Sequence, residues 1–80
     1  MTTEVLFPKL SSNPNTEGVV VTWFVGQGDM VARDQLIAEV QVDKVDAEVL
    51  APVAGTIQII TNEGEVTYQS SVIAQIDGVQ

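Results

Sequence analysis

The stretch AEVQVDKVDAEV, residues 38–49, alternates apolar and polar residues on both sides of Asp43-Lys44. Successive strand side chains point to opposite faces, so a stretch of this kind pairs with itself as an antiparallel ribbon folded about its centre. With Asp43 and Lys44 as a two-residue loop, Val42 faces Val45, Val40 faces Ala47 and Ala38 faces Val49, all apolar and all on one face. Gln41 then meets Asp46 and Glu39 meets Glu48 on the other. A slip of one residue would set apolar against polar along the whole ribbon, so the pattern specifies the register. The tip itself is less orthodox. Tight hairpin loops favour Asn-Gly or Asp-Gly, which accept positive φ, and Asp-Lys is not of that kind. Glu39 opposite Glu48 adds a small like-charge cost. A tip that departs from the easiest turn chemistry is a place to look for function.

The remainder of the chain extends the same reading. β-Branched residues and alternation dominate, and no stretch sustains a helical period. Turn chemistry recurs at short intervals in SSNPNTEG, GQGD, APVAG and NEGE, which predicts an all-β sandwich or barrel. The expected strands are 3–7, 18–25, 29–31, 35–42, 45–50, 55–60, 65–67 and 71–77, in a single domain over residues 1–80 with a core of about 3–77. The chain also echoes itself. A slide of 36 residues lays Gly28-Asp29-Met30 on Gly64-Glu65-Val66, and Leu36-Ile37-Ala38 on Val72-Ile73-Ala74. It lays Val21 and Trp23 on Ile57 and Ile59, while Gly18 and Gly55 match only with a one-residue gap. Two like halves, neither able to bury a core alone, would pack face to face as a flattened barrel. Gly18, Gly28, Gly55 and Gly64 read as turn and bulge residues.

Composition narrows the chemistry. Eleven acidic residues against three basic ones give a net charge of −8, which disfavours nucleic acid as a partner. The chain has neither cysteine nor histidine, so it lacks a thiolate and the commonest general base and metal ligand. The apolar run Val19–Val25 is far too short to span a membrane, and MTTEVLFPKL does not look like a signal peptide; a cytoplasmic location is expected. Asp46 and Glu48 share a strand face but make a poor calcium site by themselves. Ser70 and Ser71 have no histidine to activate them. Trp23 reads as a partly buried packing residue.

A lysine on a hairpin tip is ordinarily just solvated. Lys44, however, lies midway between the two like halves, in a hairpin without a counterpart in the second half. The segments FPKL, TEGVVVTWFVGQGDMV, LIAEVQVDKVDAEVLAPVAGTI, NEGEV and VIAQID, in this order and at these spacings, resemble the lipoyl domain of 2-oxo acid dehydrogenase complexes, as found in dihydrolipoamide acyltransferases. The resemblance runs from Phe7 to Asp77. It implies two quasi-symmetric four-stranded sheets, with lipoate in amide linkage on the lysine of the Asp-Lys tip, which by position is Lys44. It further implies a non-catalytic carrier. A lipoate ligase or lipoyl transferase would load it; a thiamine-dependent 2-oxo acid decarboxylase, an acyltransferase domain and dihydrolipoamide dehydrogenase would use it in turn. Asp43, Val45 and Asp46 beside the lysine, and Asn13, Pro14 and Asn15 in the loop after the first strand, are the expected recognition residues. No metal ligand is expected, and the isolated domain is expected to be monomeric. The chain differs from many relatives in having YQSS where a glycine separates the last two strands, and VQV before the Asp-Lys pair.

Two rivals remain open on the sequence. A biotin carrier shares the fold and the tip lysine, but typically as Met-Lys-Met where this chain has Asp43-Lys44-Val45. An unmodified acidic β-sandwich adaptor differs only in the state of Lys44.

Overall fold

The computed structural model describes residues 2–10, 12–13 and 16–78. It contains eight strands: β1 (Thr2–Leu6), β2 (Glu17–Trp23), β3 (Met30–Val31), β4 (Leu36–Val42), β5 (Val45–Leu50), β6 (Gly55–Ile59), β7 (Val66–Tyr68) and β8 (Val72–Gly78). They form two four-stranded antiparallel sheets, ordered β1-β8-β6-β3 and β5-β4-β2-β7. The expected strands are present, with no end moved by more than two residues and β5 at its expected bounds. The β4–β5 register is the one dictated by alternation: Val42 pairs with Val45, Gln41 with Asp46, Val40 with Ala47, Glu39 with Glu48 and Ala38 with Val49.

Adding four to each strand number converts one sheet order into the other, and the hydrogen bonds repeat with it. Gly28 N donates to Ile57 O at 2.9 Å, and Gly64 N donates to Val20 O at 2.8 Å. Asp29 caps its turn through Oδ2 on Gly26 N at 2.7 Å, and Glu65 does the same through Oε1 on Asn62 N at 2.7 Å. Gly28 and Gly64 take φ of 85° and 80°, where a side chain would be strained. In the YQSS turn, Ser70 itself takes φ 67°, as Asp34 does in the first half.

One correction concerns how the halves superpose. Val20, not Val21, is the counterpart of Ile57: Val20 pairs with Val40 as Ile57 pairs with Ile76. The β2–β4 ladder then slips, with Thr22 facing Glu39, so that Val21 is an extra, exposed residue in a bulge. This bulge is the source of the one-residue gap between Gly18 and Gly55.

The facing sides of the two sheets bury Val5, Phe7, Val20, Ile37, Val40, Val42, Ile57, Ile73 and Ile76. Each such side chain contributes about 1.5–3 kcal/mol by leaving water. Trp23 packs at the edge of this core and donates its Nε1–H to Thr61 O at 2.8 Å, in keeping with a packing role. Of Gly18 and Gly55, expected to be turn or bulge residues, Gly18 lies instead within β2 and Gly55 opens β6, both in paired strands where neighbours crowd them. A Cβ on Gly55 would stand 2.7 Å from the backbone carbon of Asp77. A Cβ on Gly18 would stand 2.8 Å from Phe7 Cε1 and 2.9 Å from Val42 Cγ2. The Phe7 ring thus fills the space that a side chain at position 18 would need, directly beneath the last residue before the β4–β5 loop.

Candidate functional site

Val42 and Val45 close the β4–β5 ribbon, leaving Asp43 and Lys44 as its two loop residues. Their φ angles are 45° and 71°. Positive φ at both central positions is the signature of the turn whose twist matches that of the flanking strands. The chain therefore adopts the favoured hairpin geometry with residues that do not favour it, at a cost of roughly 1 kcal/mol or more for the lysine. Packing offsets this cost. The register is held by Val42, Val40 and Ala38, all buried, and a longer or slipped loop would expose them.

The expected recognition residues Asp43, Val45 and Asp46 are exposed beside Lys44, which is itself exposed. Among the described residues, no hydrogen bond or ion pair engages the Lys44 side chain. Lys9 is exposed as well but sits in no such hairpin loop: it lies between Pro8 and Leu10, where the chain leaves β1. Beside the tip, Glu17, Gly18, Val19, Gln41, Asp43 and Val66 line an open groove of about 220 Å³. Among the described residues, no three acidic side chains converge to hold a metal ion.

The loop between β1 and β2 reaches this neighbourhood through Glu17, which pairs with Tyr68 of β7. Gln69, a buried polar residue at 8% exposure, clasps the loop: its Oε1 accepts from Leu10 N at 2.5 Å and its Nε2 donates to Asn13 O at 3.0 Å. Thr16 N also donates to Asn13 O, at 3.1 Å. Asn13 is exposed, and Pro14 and Asn15 lie outside the described residues. Sequence reasoning missed Gln69, because a lone glutamine in YQSS carries no local sign of a partner more than fifty residues away.

The family profile described as biotin-requiring enzyme, the biotin–lipoyl domain, matches residues 3–76. The chain belongs to the biotin–lipoyl domain family. This domain is 44% identical over 62 residues to the dihydrolipoyllysine-residue acetyltransferase component of the pyruvate dehydrogenase complex from Staphylococcus aureus. It is 42% identical over 62 residues to the corresponding component from Staphylococcus epidermidis. Each match covers 76% of this chain and 14% of the relative, so the domain corresponds to a small part of those proteins. Its fold is that of the lipoyl domain of the 2-oxoglutarate dehydrogenase complex from Azotobacter vinelandii, with a TM-score of 0.76 and 30% identity, covering 96% of this chain and 100% of that one.

Proposed function

We propose that this domain is a lipoyl carrier of a 2-oxo acid dehydrogenase complex, with lipoate attached in amide linkage to Lys44. The observation that carries this reading is the placement of Lys44: an exposed amine without a partner among the described residues, on the second residue of a two-residue loop held by a register-locked ribbon. An amine so placed fits an amide-linked arm, since nothing must be broken or unpacked to reach it. The chain has no cysteine, and the attached group would supply the dithiolane that accepts an acyl group and two electrons. The protein's own part is positional. The ribbon holds the attachment point away from the core, and the amide removes the lysine's charge, taking the net charge from −8 to −9. Tethering raises the concentration of the arm at each active site without tight binding.

The partners in this reading are a lipoate ligase or lipoyl transferase, a thiamine-dependent decarboxylase, an acyltransferase domain and dihydrolipoamide dehydrogenase, with the domain acting as a monomer in the cytoplasm. Asp43-Lys44-Val45, rather than the Met-Lys-Met typical of biotin carriers, supports lipoate over biotin. Incubation with a lipoate ligase, followed by intact mass and peptide mapping, should place one lipoyl group on Lys44 and none on Lys9. Biotin on Lys44, or lipoate on Lys9, would refute the assignment.

Asn13, Pro14 and Asn15, with Asp43 and Asp46, are proposed to govern which decarboxylase accepts the carrier. The two bonds from Gln69 to this loop run to backbone atoms of Leu10 and Asn13, so a Gly-Ser replacement of residues 11–16 at equal length leaves those two bonding groups in place. Thermal unfolding and Lys44 lipoylation should stay nearly unchanged, while reductive acylation should fall about tenfold, roughly 1.4 kcal/mol of lost recognition. Stopped-flow acylation of the fully lipoylated variant checks this, and an unchanged rate rules the loop out.

A further inference from the structure

The two sheets carry related rows of outward residues, and the rows differ in chemistry. On the sheet that bears Lys44, Val66, Val19, Gln41 and Asp46 are successive cross-strand partners. The counterpart row on the other sheet is Met30, Thr56, Asp77 and Thr2. That second row satisfies itself: Thr56 Oγ1 donates to Met30 Sδ at 3.2 Å, and Thr2 Oγ1 donates to Asp77 Oδ1 at 2.9 Å. The row beside Lys44 has no such closure, for neither Gln41 nor Asp46 has a side-chain partner among the described residues. Val66 is 63% exposed there. The groove above this row is lined by apolar Val19 and Val66, by Gln41 with its amide oxygen as an acceptor, and by two acidic residues, Glu17 and Asp43, which follow the Gly18–Val42 pair at the tip end of the ladder. Once Lys44 is acylated, no cation remains at the tip to balance those carboxylates.

From this asymmetry we infer that the groove is the docking site for an arginine side chain of the enzyme that acylates the carrier. The inference rests on the carrier reading and names the chemistry by which the partner would grip it. The aliphatic stem lies on Val19 and Val66, and the guanidinium reaches Glu17, Gln41 and Asp43, a set of acceptors suited to its planar fork of donors. A contact of this sort at the rim of a transient complex acts on the encounter rate and makes it salt-dependent.

The test has an arm that does not depend on lipoate. The ¹⁵N-labelled, unmodified domain is titrated with the acetyl-Gly-Arg-Gly-amide peptide and with its citrulline counterpart. The arginine peptide should shift the amides of residues 17–19, 41, 43 and 66 saturably, with a Kd of about a millimolar; the citrulline peptide should not, and Val66→Lys should remove the effect. In the second arm, lipoylated variants are assayed with whichever of the pyruvate and 2-oxoglutarate decarboxylases acylates the wild-type domain faster. Val66→Lys, whose own ammonium would occupy the groove, should lower kcat/KM about tenfold and flatten its salt dependence. Met30→Lys, the same charge change at the counterpart position, should leave kcat/KM within about twofold, since long-range field alone is weak across the domain at moderate salt. Equal shifts around Met30 and Thr56, no preference for arginine over citrulline, or equal activity of the two lysine variants would each overturn the proposal. Shifts confined to the groove on lipoylation alone would also overturn it, assigning the groove to the domain's own arm. Failure of Lys44 to accept lipoate would sink the carrier reading instead, and the peptide arm would still judge the groove.

Discussion

Exchanging Asp43 and Lys44 is expected to cut lipoylation about a hundredfold while leaving the domain folded. The exchange conserves composition and charge, and both positions already have positive φ, at 45° and 71°. The strain is therefore redistributed rather than added, and the melting temperature should move by no more than about 4 °C. What changes is the place of the amine. It moves back one residue along a turn whose two central side chains project differently, out of the geometry a ligase must align with an activated carboxylate. Misplacement of about an ångström is enough to cost two orders of magnitude in rate. Exchanging Lys44 with Val45 instead is the harsher version, because a β-branched residue at φ 71° is a backbone outlier. Initial rates of ligase-catalysed lipoylation, measured by intact mass with circular dichroism melts alongside, check the expectation. Equal rates for the wild-type and exchanged proteins would show that the ligase reads only an exposed lysine.

Gly18→Ala is expected to destabilise the domain by about 2–3 kcal/mol, a large loss in so small a core. The new methyl group would enter space held by the Phe7 ring, which is 1% exposed in the core, and by Val42 Cγ2. The physical claim is specific to that pair, so it has a specific rescue. Phe7→Leu alone should destabilise by creating a void, but in the Gly18→Ala background it should cost about 1 kcal/mol less, because the added methyl then has room. Urea unfolding of the two single variants and the double variant completes the cycle. Additive effects would mean that the ring and the glycine are not in competition. Because Val42 is the residue from which the loop departs, Gly18→Ala should also slow lipoylation modestly even where the protein remains folded.

Much of this architecture was legible before any coordinates. Alternation across residues 38–49 specified the ribbon register residue for residue, since strand periodicity leaves one pairing that keeps Ala38, Val40, Val42, Val45, Ala47 and Val49 on one side. Recurrent turn residues marked the eight strands. The echo between Gly28-Asp29 and Gly64-Glu65 correctly marked two equivalent turns, because the positive φ of the glycine is a local demand; that Asp29 and Glu65 cap those turns came only from the structure. Lys44 was legible as the tip for the same reason: its position follows from its neighbours along the chain.

What tertiary structure decided lies wherever a residue answers to a distant one. Val19, Val20 and Val21 are chemically identical, so no pattern could say which of them is the extra residue of the bulge; that depends on how the ladder to β4 slips. Gly18 and Gly55 look like turn glycines in sequence, yet their small size is required by Phe7 and by the backbone at Asp77, neither of which is nearby in the chain. Gln69 clasps a loop more than fifty residues away. Asp43 and Lys44 take positive φ against their own preference because the buried valines on either strand hold the ribbon in register and leave the loop two residues long. Local sequence thus determined the period, the register and the identity of the tip lysine; long-range packing decided the strain at that tip and the groove chemistry beside it.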